Sequence, residues 1–99
     1  MAVSYFKKFW EETTGEELTD SWGTCTYYFE TDAQLGVLRQ VQLFENGYVL
    51  KYDGQHFDDA FGGLADQLLD VGEFAGNEIL AAEFLTIWFR SGAQNEFGG

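Results

Sequence analysis

Apolar and polar residues alternate through Val37-Leu38-Arg39-Gln40-Val41-Gln42-Leu43-Phe44-Glu45 and again through Tyr48-Val49-Leu50-Lys51-Tyr52, with Asn46-Gly47 between them. A period of two predicts strands, and Asn-Gly supplies the two positive φ angles of a type I′ turn, so this stretch predicts a β-hairpin. A two-residue loop at 46 and 47 sets the register by arithmetic. Leu43 then faces Leu50 and Val41 faces Tyr52 on one side, while Gln42 faces Lys51 and Gln40 faces Asp53 on the other. The expectation is one apolar face and one polar face.

Upstream, Thr24-Cys25-Thr26-Tyr27-Tyr28-Phe29-Glu30 is rich in β-branched and aromatic residues and is bounded by Gly23 and by Thr31-Asp32-Ala33-Gln34, which predicts another strand and a second hairpin. Val3 to Glu12 fits two patterns. As a fourth strand it carries Phe6, Lys8 and Trp10 on one side; as a helix it groups Val3, Phe6 and Trp10 and pairs Lys7 with Glu11 at i, i+4. Near the C-terminus, Leu80, Phe84, Ile87 and Trp88 follow the spacing of a helical apolar stripe, widened by Ile79, Leu85 and Phe89. Asn77 suits the N-cap, Glu78 the positive end of the dipole, Arg90 the negative end, and Gly92 the terminus. The fold class is therefore α+β: an antiparallel three- to four-stranded meander sheet packed by a C-terminal helix. Residues 1–90 form one domain and 91–99 a flexible tail. One helix on such a sheet covers a single face, so aromatics opposite, Tyr28 or Phe44 among them, would be left as an exposed patch for self-association or a partner.

Between hairpin and helix, Gly54, Gly62, Gly63 and Gly72 punctuate the apolar anchors Phe57, Phe61, Leu64, Leu68, Leu69, Val71 and Phe74. This predicts an irregular segment with a helical turn near Leu64 to Leu69. Long irregular connections in compact domains are often functional.

Composition agrees with a folded core, since 45% of the 99 residues are apolar and 18% aromatic, far above the range of disordered chains. Charge narrows the partners. Seventeen carboxylates face only Lys7, Lys8, Arg39, Lys51 and Arg90, a formal net charge of -12. Such an excess costs stability through self-repulsion and repels nucleic acid and anionic membranes, so a macromolecular partner is expected to be a basic protein. The alternative reading of the same acidity is solubility alone. No apolar stretch reaches the 18 or so residues that span a bilayer, and no secretory leader is visible at the N-terminus, so the cytoplasm is the expected compartment.

The candidate chemistry lies after the hairpin. Asp53, His56, Asp58 and Asp59 place an imidazole among carboxylates, an arrangement that serves a metal or an acid–base pair. It matches neither the calcium-loop nor the zinc-helix spacing, and structural zinc needs four Cys or His ligands where this chain has one of each. In the structural alternative, Asp53-Gly54 starts a turn, Asp58 caps a short helix and His56 bonds locally. Cys25 shares its strand alternation with Tyr27 and Phe29, which predicts a buried thiol and not a nucleophile. Phe61-Gly62-Gly63-Leu64 lacks both phosphate-loop patterns. No catalytic residue, metal or cofactor is assigned. The expected partner surface comprises Asp53, His56, Asp58, Asp59, Asp66, Asp70 and Glu73, with Trp22, which precedes a glycine at a strand entrance, as the tryptophan most exposed.

Short patches along most of the chain carry a resemblance. They are Tyr5 to Trp10, Trp22-Gly23-Thr24, Tyr28-Phe29-Glu30, Leu38-Arg39-Gln40-Val41, Glu45-Asn46-Gly47, Leu50-Lys51-Tyr52-Asp53 with His56, Gly62-Gly63-Leu64, Asp66-Gln67, and Glu83-Phe84 with Trp88. In these the chain resembles a family of small acidic bacterial proteins associated with the immunity proteins of polymorphic toxin systems. The resemblance implies an α+β sheet with a C-terminal helix, favours a strand over Val3 to Glu12, and transfers no functional residues. With the charge, it leads to the expectation of an acidic module that neutralises a basic toxin such as a nuclease. A small metal-dependent or acid–base enzyme built on His56, and a housekeeping domain without a basic partner, are the alternatives.

Overall fold

The computed structural model describes residues 3–90 and 93–95. Four strands form one antiparallel meander in the order β1 (Ser4–Trp10), β2 (Cys25–Thr31), β3 (Val37–Phe44) and β4 (Val49–Tyr52). The fold is α+β as the alternation and the helical stripe imply. Val3 to Glu12 resolves as a strand, because its two aromatic-rich sides each find a partner along β2: Phe6, Lys8 and Trp10 lie beside Phe29, Tyr27 and Cys25, and Tyr5 and Lys7 beside Glu30 and Tyr28.

The expected hairpin forms, but its register is displaced by one residue. Gln40 pairs with Tyr52, Val41 with Lys51, Gln42 with Leu50 and Leu43 with Val49. The connection has three residues, Glu45, Asn46 and Gly47, closed by the Phe44 amide on the Tyr48 carbonyl and the Gly47 amide on the Phe44 carbonyl. Gly47 alone carries the positive φ, at 92°, as in a type I turn followed by a left-handed glycine bulge. Since side chains alternate with a period of two, a one-residue slip moves every β4 side chain to the opposite face. Leu50 and Tyr52 therefore leave the side of Val41 and Leu43 and join Gln40, Gln42 and Phe44.

Both faces are covered as a result, against the expectation of a single covered face. On one, Tyr28, Val41 and Val49 pack beneath Phe84 of the C-terminal helix α2 (Ala81–Trp88). On the other, Cys25, Phe44, Leu50 and Tyr52 pack beneath Trp22, Phe61 and Leu64. Tyr28 and Phe44 are both buried and form no exposed patch. Gln40 and Gln42 are buried too; the Gln40 amide donates to Gln42 and to the Gly63 carbonyl, and its oxygen accepts from the Ala65 amide. The polar alternation of β3 thus anchors the irregular cover instead of facing water.

The helix is shorter than its stripe. Asn77 does not cap it; Leu80 occupies that position without a side-chain bond. Residues 77–79 instead run along β1, with the Lys7 amide on the Asn77 carbonyl, the Asn77 side-chain Nδ2 on the Lys7 carbonyl and the Ile79 amide on the Tyr5 carbonyl. Leu80 and Phe89, expected in the stripe, are 77% and 73% exposed, because the helix buries only the arc around Phe84. The expected turn at Leu64 to Leu69 is absent, and the short helix α1 lies at Val71–Phe74 instead. Asp70 caps it, accepting from the Gly72 and Glu73 amides. Gly92 lies outside the described residues, but 93–95, within the stretch expected to fray, is docked. The Gln94 amide donates to Val49, and the Asn95 side chain accepts from the Lys51 amide and donates to the Lys51 carbonyl. Both outer strands are thereby occupied, which blunts edge-to-edge association.

The bulge gives a direct test. A Cβ at Gly47 would meet nothing within 4 Å, so the cost of Gly47→Ala is conformational and amounts to about 1 kcal/mol. Gly54, equally open but without a positive φ, is the control; Gly54→Ala leaves stability unchanged or raises it by about 0.5 kcal/mol. Urea midpoints for the two variants that move together would contradict the bulge.

Candidate functional site

The sequence-derived candidates separate into residues folded inward and residues left in solvent. Asp53 accepts from the Gln55 and His56 amides through one oxygen, a local turn as its Asp-Gly pair implies. That turn brings His56 back over Tyr52, the rings 5.9 Å apart and stacked. Asp59 lies at the centre. One of its oxygens accepts from Tyr52 Oη at 2.8 Å, the Phe61 amide at 2.9 Å and the Gly62 amide at 3.3 Å. The other contacts His56 Nε2 at 2.8 Å and accepts from Asn95 Nδ2 at 2.9 Å. Five groups converge because residues 58–63 fold into a tight hairpin, with the Asp59 amide on Gly62 and Asp58 bridged to Gly63. Gly63 is needed there: a Cβ would sit 3.0 Å from the Phe57 carbonyl.

Burial by itself would raise the Asp59 carboxyl. The hydrogen bonds from His56, Asn95, Phe61 and Tyr52 outweigh it and hold the group down from 3.8 to about 2. Burial, and then the hydrogen bond to Asp59 and its charge, raise the Tyr52 phenol, so it stays protonated and donates. This constellation ties β4 to the 58–63 hairpin and to the C-terminal segment. Asp58 does not cap a helix; it is exposed, as are Asp66, Asp70 and Glu73, and Glu73 lies 3.6 Å from Lys8. Asp59, expected on the partner surface, is thus engaged within the fold.

Trp22 is not the exposed tryptophan. It is clamped by Phe44, Tyr48 and Phe61 at centroid distances of 5.1, 4.9 and 5.4 Å. Trp10, at the end of β1, is 42% exposed. Cys25 is buried, and burial raises its thiol despite bonds to Tyr27 and Gln42. Burial and the neighbouring Cys25 push the Tyr27 phenol up to about 12. Among the described residues, no group of three His, Cys, Asp or Glu side chains is placed to hold a metal ion, and no helix is long and apolar enough to cross a membrane.

Two features escaped the sequence reading. The first is an open groove on the sheet face opposite α2, in two connected parts of about 240 and 370 Å³ that share Trp10, Tyr27 and Phe29. Phe74, Lys8 and Glu73 close one end; Glu16 and the Gly62-Gly63 backbone border the other. The signal was present in the shared alternation of Phe6, Lys8 and Trp10 with that of Cys25, Tyr27 and Phe29, once the two strands are paired. The second is the β1–β2 connection, whose Glu11, Glu12, Glu16, Glu17 and Asp20 are all exposed. Glu45 of the hairpin reaches the same end of the sheet, accepting from the Thr24 amide. No family model, curated protein or solved structure matches the chain.

Asp59→Asn tests the constellation. A carboxyl with a lowered folded pKa stabilises above its unfolded pKa and loses that contribution as pH falls through the folded value, here from about 4 to about 2. The expected cost of Asp59→Asn at pH 7 is on the order of 1 to 2 kcal/mol, vanishing near pH 2. Thermal melts of both proteins from pH 7 to 2 check it; a constant difference across that range would refute the assignment.

Proposed function

We propose that the protein is a binding module for a basic protein, of the kind that blocks a cationic bacterial toxin such as a nuclease. The observation that carries this is how charge is distributed over the fold. Arg39 is tied to Glu30 at 2.6 Å, Lys7 to Glu83 at 3.0 Å, and Lys8 to Glu73 at 3.6 Å. Lys51 donates to the Arg90 carbonyl and lies over the Trp88 ring. Four of the five Lys and Arg side chains are thus engaged within the fold, whereas Glu11, Glu12, Glu16, Glu17, Asp20, Glu45, Asp58 and Asp66 are exposed and have no ion-pair partner among the described residues.

A negative field over a rigid scaffold accelerates encounter with a cationic partner and rejects anionic ones. Supporting a structural role for the rival acid–base pair, Asp59 already holds His56, Tyr52, Asn95 and two backbone amides in place. The acidic function therefore rests on the outward carboxylates.

Affinity isolation from the native host at low salt should retain a basic protein, released by high salt. Reversal of Glu17 and Asp66 to Lys, both exposed and outside the Asp59 constellation, should slow its association roughly tenfold while leaving the fold intact. Asp59 is excluded from this set, because its loss would unsettle the scaffold. A complex indifferent to salt and to both reversals would overturn the reading.

A further inference from the structure

The open groove and the acidic end meet at Trp10. β1 ends there, Glu11 and Glu12 follow in solvent, and Glu16 returns to border the groove. Rings form part of the floor, with Gln40 and Gln42 beside them: Tyr27 and Phe29 lie with ring planes 17° apart and centroids at 5.7 Å, next to the half-exposed indole of Trp10. The part bordered by Glu16, about 370 Å³, lies near the small end of the range of about 300 to 1,000 Å³ usual for small-molecule sites. The dimensions suit one side chain of a larger ligand.

The chain itself indicates which side chain. On the face beneath α2, the Arg39 guanidinium lies 4.9 Å from the Trp88 ring centroid and 5.4 Å from that of Phe84, and Glu30 holds it with two bonds of 2.7 and 2.6 Å. Within the groove, the Lys8 ammonium lies 5.5 Å from the centre of Phe74 and 3.6 Å from Glu73. Each time a cation is held between aromatic rings and a carboxylate. At the other end of the groove, Trp10 and Tyr27 supply rings and Glu16 a carboxylate, and among the described residues no Lys or Arg lines that part.

We propose that this end of the groove receives an arginine side chain of a basic polypeptide, stacked against Trp10 and Tyr27 and paired with Glu16. Arginine is selected over lysine because a planar guanidinium is weakly hydrated and stacks on an aromatic face while donating to a carboxylate, as Arg39 does. A phosphate-bearing or anionic planar ligand of the same size is disfavoured by the net charge of -12. The inference rests on the reading of the protein as a module for basic partners, and adds to it a seat and a residue preference.

The test titrates the whole protein with two synthetic peptides of equal length and charge, one alternating Gly and Arg, the other Gly and Lys, followed by calorimetry. The arginine peptide should bind at least tenfold more tightly. Trp10→Ala and, separately, Glu16→Gln should each reduce its affinity about tenfold and bring the two peptides together. Glu83→Gln, on the helix face, should leave both affinities unchanged. Glu16 lies on an exposed loop, so its variant keeps the test decisive if Trp10→Ala fails to fold. Equal binding of the two peptides, insensitive to Trp10 and Glu16, overturns the arginine seat and leaves the acidic-module reading standing. Failure of both peptides to bind at low salt overturns both readings.

Discussion

The carboxylate of Asp59 gathers donors from parts of the chain far apart in sequence, and the cover of one sheet face depends on it. Tyr52 comes from β4, His56 and the Phe61 and Gly62 amides from the segment beyond it, and Asn95 from the C-terminal end. A buried carboxylate is costly unless its lone pairs are filled, and here they are. The arrangement presupposes the hairpin register. Only because Gly47 adds a third loop residue does Tyr52 point toward the irregular segment and not toward α2. One backbone angle at Gly47 therefore sets the orientation of Tyr52, which places its hydroxyl for Asp59, which in turn holds the 58–63 hairpin that walls the groove.

The strands were legible in the sequence because alternation and β-branched or aromatic content are local properties. The register was not, because Asn-Gly serves two hairpin geometries: as both residues of a two-residue loop, or as the last two of a three-residue loop whose final glycine is left-handed. Side-chain alternation could not arbitrate, since either register gives β3 a face with Val41 and Leu43 and another with Gln40 and Gln42. What decides is the burial of both glutamines, and that depends on the Gly63 carbonyl and Ala65 amide reaching them from more than twenty residues away. The helix stripe failed in a similar way. Leu80 and Phe89 satisfy its spacing, but 77–79 is drawn to the free edge of β1, which shortens the helix at its start.

Legibility of the candidate site followed the same division. Asp53-Gly54 announces a turn, and the turn is there. That Asp59 turns inward while its neighbour Asp58 stays in solvent could not be read from composition, since it depends on which backbone amides the 58–63 hairpin directs at each carboxylate. Asp70 was grouped with the surface acids, yet its oxygen is occupied by two amides of the short helix that follows it. The groove was hidden for another reason. Its residues come from β1, the loop after it, β2, β3 and the glycine-rich segment, so no window of sequence contains it, although two strand faces that build it were each visible alone.

The two faces of the sheet apply one electrostatic arrangement to different ends. Beneath α2, the Arg39 charge is shared between Glu30 and two aromatic rings, and the hydrogen bonds from Arg39 lower the Glu30 carboxyl below its usual range. Tyr5 completes that cluster by donating to Glu30. Exposed ion pairs such as Lys7 with Glu83 contribute little, about 0.2 to 1 kcal/mol each. The half-buried Arg39 cluster therefore has the better claim to a structural role, because its geometry is bidentate and its partners are held by packing. On the opposite face the rings and carboxylates recur, but the chain's own ammonium, Lys8, occupies only the Phe74 and Glu73 end. Four of the five Lys and Arg side chains are engaged within the fold, while several carboxylates and the aromatic surface at Trp10 remain directed outward.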